Sequence, residues 1–349
     1  MTSAKALLQR ARGSGNPVIH EDRATFIWEG DSAPYLISDL HDWEEHPRPF
    51  QRISPRLWTC SITLPRDAYL EYAFFDPKTK RRFPDPLNRH SVNNGLGSRN
   101  HFFYMPESMP SPFSLRRADI PSGALTRHYV DTWMLYEDGK RVVYLYRPPV
   151  KDPVPLLVVY DGLDYLGRGK LATIVDNMIA EKRIRPIAMI LLHNGGRRRS
   201  VEYACSDATI AWLDHEILPL ARKRLRLLNI REHPGAFGVL GASFGGLMAM
   251  YTGLRAPEIF GKVLSQSGVF ESEGRDFVAV DLVRDGQARE LKIWMDIGRL
   301  DSLWEDNRRM HALLNEKGYQ VTYREFTGGH CYTAWRNDLW RGLEAMFPP

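Results

Sequence analysis

The spacing of hydrophobic and polar positions changes about a third of the way along this chain of 349 residues. Over 17–105, short segments rich in aromatic side chains alternate apolar with polar residues and are broken by Pro, Asp and Gly; examples are 24–28, 57–64 and 69–75. Alternation with a period of two is typical of strands that bury one face. This part of the chain is therefore predicted to form a small all-β sandwich.

Two segments of different composition flank the predicted sandwich. Residues 1–16 carry scattered basic side chains and no apolar core of the length that a secretory signal requires, so we expect an N-terminal tail. Residues 106–122 contain four prolines with serines between them, a composition that favours an extended linker. The boundary between two domains is expected in this linker.

After the linker, over 123–349, strand-like apolar runs alternate with helical periodicity. This alternation predicts an α/β domain, in which a mostly parallel sheet is flanked by crossover helices. The predicted strands are 142–146, 155–160, 187–193, 237–240, 262–265, 292–296 and 321–326. The predicted helices lie near 171–181, 209–224, 246–255, 302–316 and 333–346.

Charge and cysteine content remove several classes of protein. The formal net charge is +5, but the basic runs 78–82 and 222–226 are interrupted and are more typical of solvated faces than of nucleic-acid sites. Three widely spaced cysteines give neither a disulfide framework nor a zinc pattern. With no run of 18 apolar residues, we expect a soluble, cytoplasmic protein that binds no membrane. We also expect it to bind no nucleic acid and to need no metal or organic cofactor.

Candidate chemistry begins with a G-x-S-x-G run at 241–245, between an apolar strand pattern and a helical one. A tight strand-to-helix turn presents a serine hydroxyl to a base, and the flanking glycines let the backbone close around it. Ser243 is the candidate nucleophile. A glycine-rich packing turn is the alternative interpretation of the same five residues.

A general base is expected near the C-terminus, where Gly328 and Gly329 precede His330. In α/β-hydrolases the nucleophile, the acid and the histidine follow one another in that order along the chain. The acid should therefore follow the predicted strand 292–296, and Asp301 is our candidate because it lies in the turn after Gly298. Its alternative role is the N-cap of the next helix, and other carboxylates compete with it: Asp296, Glu305 and Asp306.

An oxyanion hole needs two backbone donors, one from the residue after the nucleophile and one from a loop after an earlier strand. Phe244 supplies the first. The second is predicted to be the N–H of Leu163 or Gly162, which follow the strand ending at Tyr160. A simple Asp-Gly turn is the alternative for this loop.

Substrate contacts are expected from a basic run at 197–199, which follows two glycines at the end of another predicted strand. Open α/β sheets bind ligands on that side, so these residues could hold an anionic or catecholate substrate, although a solvated charge run is an equal alternative. Aromatic side chains on helices usually belong to the core, but two could line the mouth. The candidates are Arg198, Arg199, Arg299, Trp304 and Trp335.

Together these motifs resemble a known family. Over about 120–347 the chain resembles the enterochelin (enterobactin) esterases and the wider esterase D-like group of α/β-hydrolases, to which feruloyl and acetyl esterases are also similar. The segments that carry the resemblance are 141–149, 199–203, 216–219, 241–246, 257–268 and 328–336. The N-terminal part resembles the immunoglobulin-like module of enterochelin esterases, with D-P-L-N at 85–88 matching the end of such modules.

The resemblance implies an α/β-hydrolase fold behind an immunoglobulin-like sandwich, with Ser243 as nucleophile, His330 as base and Asp301 as acid. Relatives often carry a glutamate at the position of Asp301, and some use a serine and a histidine alone. Cys331 stands where an acidic residue is common in the family. The sandwich is expected to shape the substrate cleft.

These observations predict a serine esterase, with a catecholate siderophore ester of the ferric enterobactin type as the expected substrate. A carbohydrate ester hydrolase, feruloyl or acetyl, is the first alternative, with a glycan bound through Trp28, Trp43 or Trp58 of the sandwich. The second alternative is a non-catalytic binding protein built on a hydrolase frame.

Overall fold

A computed structural model describes residues 4–135 and 139–349 of the chain. The chain divides into two units. The first comprises Met1–Pro110 together with two later segments, Gly298–Ser302 and Phe326–Ala334. The second comprises Ser111–Ile297, Leu303–Glu325 and Trp335–Pro349.

The first unit is built from one helix and short antiparallel strands. Its elements are α1 (Ala4–Ser14), β1 (Val18–His20), β2 (Arg23–Glu29), β3 (Tyr35–Ser38), β4 (Arg48–Pro49), β5 (Gln51–Ser54), β6 (Leu57–Thr63), β7 (Tyr69–Asp76), β8 (Arg81–Phe83), β9 (Ser91–Asn93) and β10 (Arg99–Tyr104). Two 3-10 turns, Asp39–His41 and Trp43–Glu45, follow β3.

These strands form two sheets that share one core. One sheet has the order β1-β2-β6-β5, and the other has the order β4-β3-β7-β10-β9 with β8 also paired to β7. Alternate side chains of both sheets meet in the core, among them Phe26 from β2, Ile62 from β6 and Phe74 from β7. Burying one face of each sheet against the other stabilises a sandwich. The predicted all-β N-terminal region is confirmed.

Part of the segment expected to be a tail is helical. Helix α1 packs with Leu7, Leu8 and the fully buried Ala11 against the side chains of Val18 and Ile27. Apolar residues spaced three and four positions apart lie on one face of a helix, which accounts for this packing.

The D-P-L-N segment, which lies between β8 and β9 rather than at the end of the sandwich, forms a buried polar network. The carboxylate of Asp85 accepts hydrogen bonds from the Tyr72 hydroxyl at 2.6 Å and from Asn16 Nδ2 at 2.7 Å. Asn88 Nδ2 in turn donates to the Tyr72 hydroxyl at 2.9 Å. Because buried polar groups are costly without partners, this network ties the segment 85–88 to the interior of the sandwich.

The second unit alternates strands with helices. Its strands are β11 (Ala124–Asp131), β12 (Lys140–Arg147), β13 (Leu156–Val159), β14 (Ala188–Leu192), β15 (Gly238–Ala242), β16 (Lys262–Gln266), β17 (Glu271–Ser272), β18 (Arg275–Asp276), β19 (Lys292–Gly298) and β20 (Gln320–Phe326). Its helices are α2 (Gly162–Gly167), α3 (Leu171–Ala180), α4 (Arg199–Tyr203), α5 (Asp207–Trp212), α6 (Leu218–Arg224), α7 (Phe244–Arg255), α8 (Val278–Asp285), α9 (Trp304–Glu316) and α10 (Tyr332–Met346). A π-helical turn, Leu213–Ile217, joins α5 to α6.

Eight of these strands form one sheet in the order β11-β12-β14-β13-β15-β16-β19-β20. The pairs β11/β12 and β12/β14 are antiparallel, whereas β13 pairs in parallel with both β14 and β15, and β15, β16 and β19 continue in parallel. Strands β13, β14 and β15 are buried throughout, as expected for a parallel sheet covered by helices on both faces. The predicted mostly parallel sheet is confirmed.

The sequence did not predict β11, α2, α4 or α8. All but one of the residues of β11 lie at least partly exposed at the edge of the sheet, so its side chains carry little alternation. Among the described residues, no helix is long and apolar enough to cross a membrane.

Candidate active site

Ser243 lies between β15 and α7, where the chain turns sharply from strand to helix. Its backbone adopts φ 59° and ψ −127°, a left-handed conformation that costs free energy in a residue other than glycine. The turn also requires Gly241, because a Cβ at that position would lie 2.1 Å from the carbonyl oxygen of Gly245. The backbone thus forms the strained elbow that presents a serine nucleophile.

The elbow also places the N-terminus of α7 directly after Ser243. Ser243 N–H donates to the Gln266 carbonyl at 2.9 Å, and the Ser243 carbonyl accepts from Leu247 N–H at 3.1 Å. Phe244 is the first residue of α7, where an N–H has no acceptor within its own helix. Such an N–H at the start of a twelve-residue helix can stabilise negative charge.

The second predicted oxyanion loop follows β13. Asp161 adopts φ 53°, and Gly162 and Leu163 are the first two residues of α2. Gly162 is required by close packing, since a Cβ there would lie 2.4 Å from the backbone of Leu191 in β14. The Leu163 side chain is 37% exposed. The loop therefore packs against the neighbouring strand. The N–H groups of Gly162 and Leu163, at the start of α2, have no acceptor within their own helix.

A charged network connects this loop to the elbow. The Asp161 carboxylate, which is almost wholly buried, accepts from Arg199 Nε at 2.7 Å, from Arg199 Nη2 at 2.6 Å and from Asn194 Nδ2 at 2.6 Å. Arg199 Nη2 also donates to the carbonyl of Ala242, the residue before Ser243, at 3.2 Å. One guanidinium therefore bridges the loop after β13 and the end of β15, next to Ser243.

His330 and Asp301 lie on two neighbouring loops that follow β20 and β19. Backbone bonds join the loops: Arg299 N–H donates to the Phe326 carbonyl at 2.8 Å and Leu300 N–H donates to the Gly328 carbonyl at 3.1 Å. His330 Nδ1 lies 2.8 Å from Asp301 Oδ2. The Asp301 side chain is fully buried, whereas the His330 side chain is 34% exposed. The carboxylate can accept a hydrogen bond from Nδ1–H, a tautomer in which Nε2 is the unprotonated, basic nitrogen.

The other carboxylates that compete for the acid role make different contacts. Asp296 is buried and accepts from Gln266 Nε2 and from the Trp294 indole, and its pKa is raised by burial and by the Asp338 charge. Glu305 is exposed on α9. Helix α9 starts at Trp304 with Leu303 as its N-cap, so Asp301 does not cap it.

The five predicted substrate-binding residues are placed differently from one another. Arg199 is bound to Asp161 as described, Arg198 is half-buried at the start of α4, and Arg299 is exposed. Trp304 is half-buried under the Arg308 guanidinium, 4.0 Å from the ring centre. Trp335 is only 3% exposed and donates its indole N–H to Ser267 Oγ at 2.8 Å, so its ring is part of the core rather than of a cleft.

Sequence reasoning missed Asp161 and Asn194 as parts of this network. Both follow parallel strands that are neighbours in the sheet, β13 and β14, and Arg199 follows the same strand as Asn194. The sequence did carry a signal for this pair, because an acidic and a basic residue that follow adjacent parallel strands lie at the same edge of the sheet. Within 4–135 and 139–349, no group of His, Cys, Asp and Glu side chains could hold a metal ion.

The chain matches the model of a family described as "Putative esterase" over residues 137–346. It is 30% identical to the iron(III) enterobactin esterase of Dickeya dadantii, in a comparison that covers 97% of this chain and 92% of that protein.

Solved structures show the same fold. The enterobactin esterase of Shigella flexneri, crystallised in the presence of enterobactin, superimposes with a TM-score of 0.77 at 22% identity, covering 93% of this chain and 92% of that one. A ferulic acid esterase from Anaeromyces mucronatus superimposes with a TM-score of 0.56 at 14% identity, covering 68% of this chain and 95% of that one. The predicted α/β-hydrolase fold behind an all-β N-terminal region is confirmed.

Proposed function

This chain belongs to the esterase family and hydrolyses esters, and from that premise we propose that its substrate is a catecholate siderophore ester of the enterobactin type, carried as the iron complex. One observation supports this substrate most strongly. The similarity to an iron(III) enterobactin esterase covers 97% of the chain, the sandwich included, whereas the ferulic acid esterase aligns with 68%.

The proposed mechanism starts from the strained turn at Ser243. His330 Nε2 removes the proton of Ser243 Oγ as the oxygen attacks the ester carbonyl. Asp301 holds the Nδ1 proton and stabilises the imidazolium that forms. The backbone N–H of Phe244 and that of Leu163 or Gly162 stabilise the negative charge on the carbonyl oxygen.

The second half of the cycle uses the same groups. The imidazolium of His330 gives its proton to the departing alkoxide, which leaves an acyl group on Ser243 Oγ. A water molecule, deprotonated by His330, then attacks the acyl carbonyl, and His330 returns that proton to Ser243 Oγ as the carboxylic acid is released. These reaction steps need no metal or organic cofactor, and any iron enters as part of the substrate.

Substrate binding is proposed for exposed or half-buried cations near these loops, Arg198 and Arg299, with Trp304 offering an aromatic face. Ferric catecholates are anionic and aromatic, so guanidinium groups and indole rings suit them. The cytoplasmic location and the absence of nucleic-acid and membrane partners stay predictions.

A substrate panel tests the proposal. The purified protein is offered ferric enterobactin, linear catecholate esters, feruloyl and acetyl sugars, and p-nitrophenyl acetate, and the products are separated by chromatography. We expect the highest kcat/KM on the catecholate trilactone, and a loss of at least about 1000-fold in Ser243→Ala. The matched control is Ser272→Ala, which removes an exposed serine from β17 and should keep parental activity.

Two results would contradict the proposal. Selective cleavage of sugar esters would assign the protein to the carbohydrate alternative. Parental turnover in Ser243→Ala would exclude the serine mechanism.

A further inference from the structure

A carboxyl group of the β-sandwich lies against the histidine loop within the first unit. Asp39 begins the 3-10 turn after β3, and its Oδ1 accepts from the Trp43 indole N–H at 3.0 Å. A Cβ built on Gly329, the residue before His330, would lie 2.2 Å from Asp39 Oδ2. That oxygen is shielded from solvent and has no hydrogen-bond partner within the described part of the chain. The sandwich therefore places a poorly satisfied carboxyl beside the candidate base.

The backbone around Asp39 is held in a costly conformation. Asp42 and Trp43 both have positive φ, 54° and 52°, which is disfavoured for residues other than glycine. The Arg82 guanidinium lies 4.7 Å from the Trp43 ring centre and bonds Glu44 at 2.6 Å, so it holds this turn. Strain that the surrounding structure enforces points to a functional requirement, here the aim of the Trp43 N–H at Asp39.

Asp39 lies in a cluster of groups that change charge. Burial, with a smaller contribution from the Glu71 charge, raises the pKa of Asp39 to about 7. Glu71 is itself buried and accepts from the Tyr69 hydroxyl at 3.0 Å and from Asn100 Nδ2 at 2.9 Å. The groups that act electrostatically on the Asp39 carboxyl, or that it acts upon, are Glu71, Trp43, Asp301, His330 and Cys331.

We propose that Asp39 is a positioning residue for His330: as a carboxylate it stabilises the imidazolium formed during hydrolysis, and as a neutral acid it does not. The inference rests on the proposed function in that His330 is taken as the base. It follows that the sandwich contributes to the chemical step and that hydrolysis speeds up as Asp39 ionises. Asp39 acts through His330 and does not contact the substrate.

The test is the pH dependence of kcat/KM for p-nitrophenyl acetate between pH 5.5 and 9, in the parent and in Asp39→Asn. The amide of Asp39→Asn mimics the neutral acid, so kcat/KM of the parent and of the variant should be nearly equal at the acidic end of this range. Above pH 8 the parent should be roughly five- to tenfold faster, the effect of one charge at a partly screened distance. The ratio of the two should rise with a midpoint near pH 7, the pKa of Asp39.

Two further variants separate this effect from general damage. Trp43→Phe removes a hydrogen bond that lowers the pKa of Asp39, so it keeps the carboxyl and should move the midpoint of the parental rise to higher pH. Glu45→Gln removes an exposed carboxylate from the neighbouring turn and should leave the profile unchanged. If Asp39→Asn does not fold, the shift in Trp43→Phe decides alone.

The outcomes distinguish this inference from the proposed function. If Ser243→Ala is inactive but the ratio of parent to Asp39→Asn is the same at every pH, the role of Asp39 is overturned and the serine mechanism stands. If the parent hydrolyses no ester, the proposed function fails. Thermal unfolding then still tests whether Asp39 titrates. Because ionising a buried acid destabilises the folded state, the Tm of Asp39→Asn minus that of the parent should grow from pH 4.5 to 8. A constant Tm difference would contradict a titrating Asp39.

Discussion

One contact singles out Asp301 among the carboxylates that could serve as the acid. Asp301 meets His330 Nδ1 at 2.8 Å, whereas Asp296 is bound by Trp294 and Gln266 inside the sheet. Replacing the acid by its amide leaves the histidine in the wrong tautomer for accepting the serine proton. We therefore expect Asp301→Asn to lower kcat by about 100- to 10 000-fold, measured by steady-state hydrolysis of p-nitrophenyl acetate.

Asp296→Asn is the matched variant, since it removes a carboxylate from the end of the same strand. Its kcat should stay within a few-fold of the parental value, because the Asp296 carboxylate is bound by Gln266 and Trp294 inside the sheet. Similar rates in Asp301→Asn and parent, together with a large loss in Asp296→Asn, would transfer the acid role to Asp296. Full activity in both variants would indicate a serine–histidine dyad.

Motif order along the chain is enough to make Ser243, His330 and Asp301 candidates from the sequence alone. Each of them belongs to a short pattern that local chemistry explains: a tight turn, a glycine-flanked histidine and an acid after a strand. Asp39 belongs to no such pattern, and it lies almost 300 positions from His330 in sequence. Only the packing of the 3-10 turn on Gly329 relates the two, and a single sequence does not contain that information.

Among the elements, β13 and β15 are joined through Arg199, which links the loop after β13 to the strand before Ser243. If its purpose is positioning, Arg199→Ala should lower kcat by roughly 100-fold on p-nitrophenyl acetate, a small neutral ester, with little change in KM. The physical cause is the Asp161 carboxylate, which would remain buried after losing its main partner, at a cost of about 3–5 kcal/mol. Steady-state kinetics and thermal unfolding give both quantities.

The prediction from sequence was that Arg199 binds the substrate, and the same experiment examines that role. A substrate contact would raise KM for ferric enterobactin and spare the neutral ester. Arg197→Ala is the control, since Arg197 is an exposed member of the same basic run. It should behave as the parent with both esters.

Elements with strong hydrophobic patterns were predictable, and weakly patterned ones were not. The continuous apolar runs that became β13, β14 and β15 show their burial directly in the sequence. Strand β11 and the short helices α2 and α4 do not, because exposed edges and helices of five or six residues bury few side chains. Helix α1 did carry a helical signal at Leu7, Leu8 and Ala11, which its basic residues obscured.

At the scale of the whole molecule, the grouping of segments departs from their order along the chain. The sequence places 298–302 and 326–334 in the hydrolase domain, whereas the structure groups both with the sandwich. Tyr69 N–H of β7 donates to the Thr327 carbonyl at 3.0 Å, and Leu300 packs against the sandwich core. Because these two segments carry Asp301 and His330, the sandwich supports the candidate acid and the candidate base directly.

If the sandwich core positions the loop that carries Asp301, weakening their contact should lower kcat even for a small ester. Leu300→Ala removes the side chain next to Asp301 that packs on the sandwich core, so we expect kcat for p-nitrophenyl acetate to fall by roughly tenfold or more through loss of alignment. Ile62→Ala creates a cavity in the same core from β6, a strand of the other sheet from β7, and costs about 2–5 kcal/mol of stability. Below its Tm, Ile62→Ala should keep the parental kcat. Equal kcat in Leu300→Ala and parent, measured well below the Tm of both, would instead limit the sandwich to a role in binding large substrates.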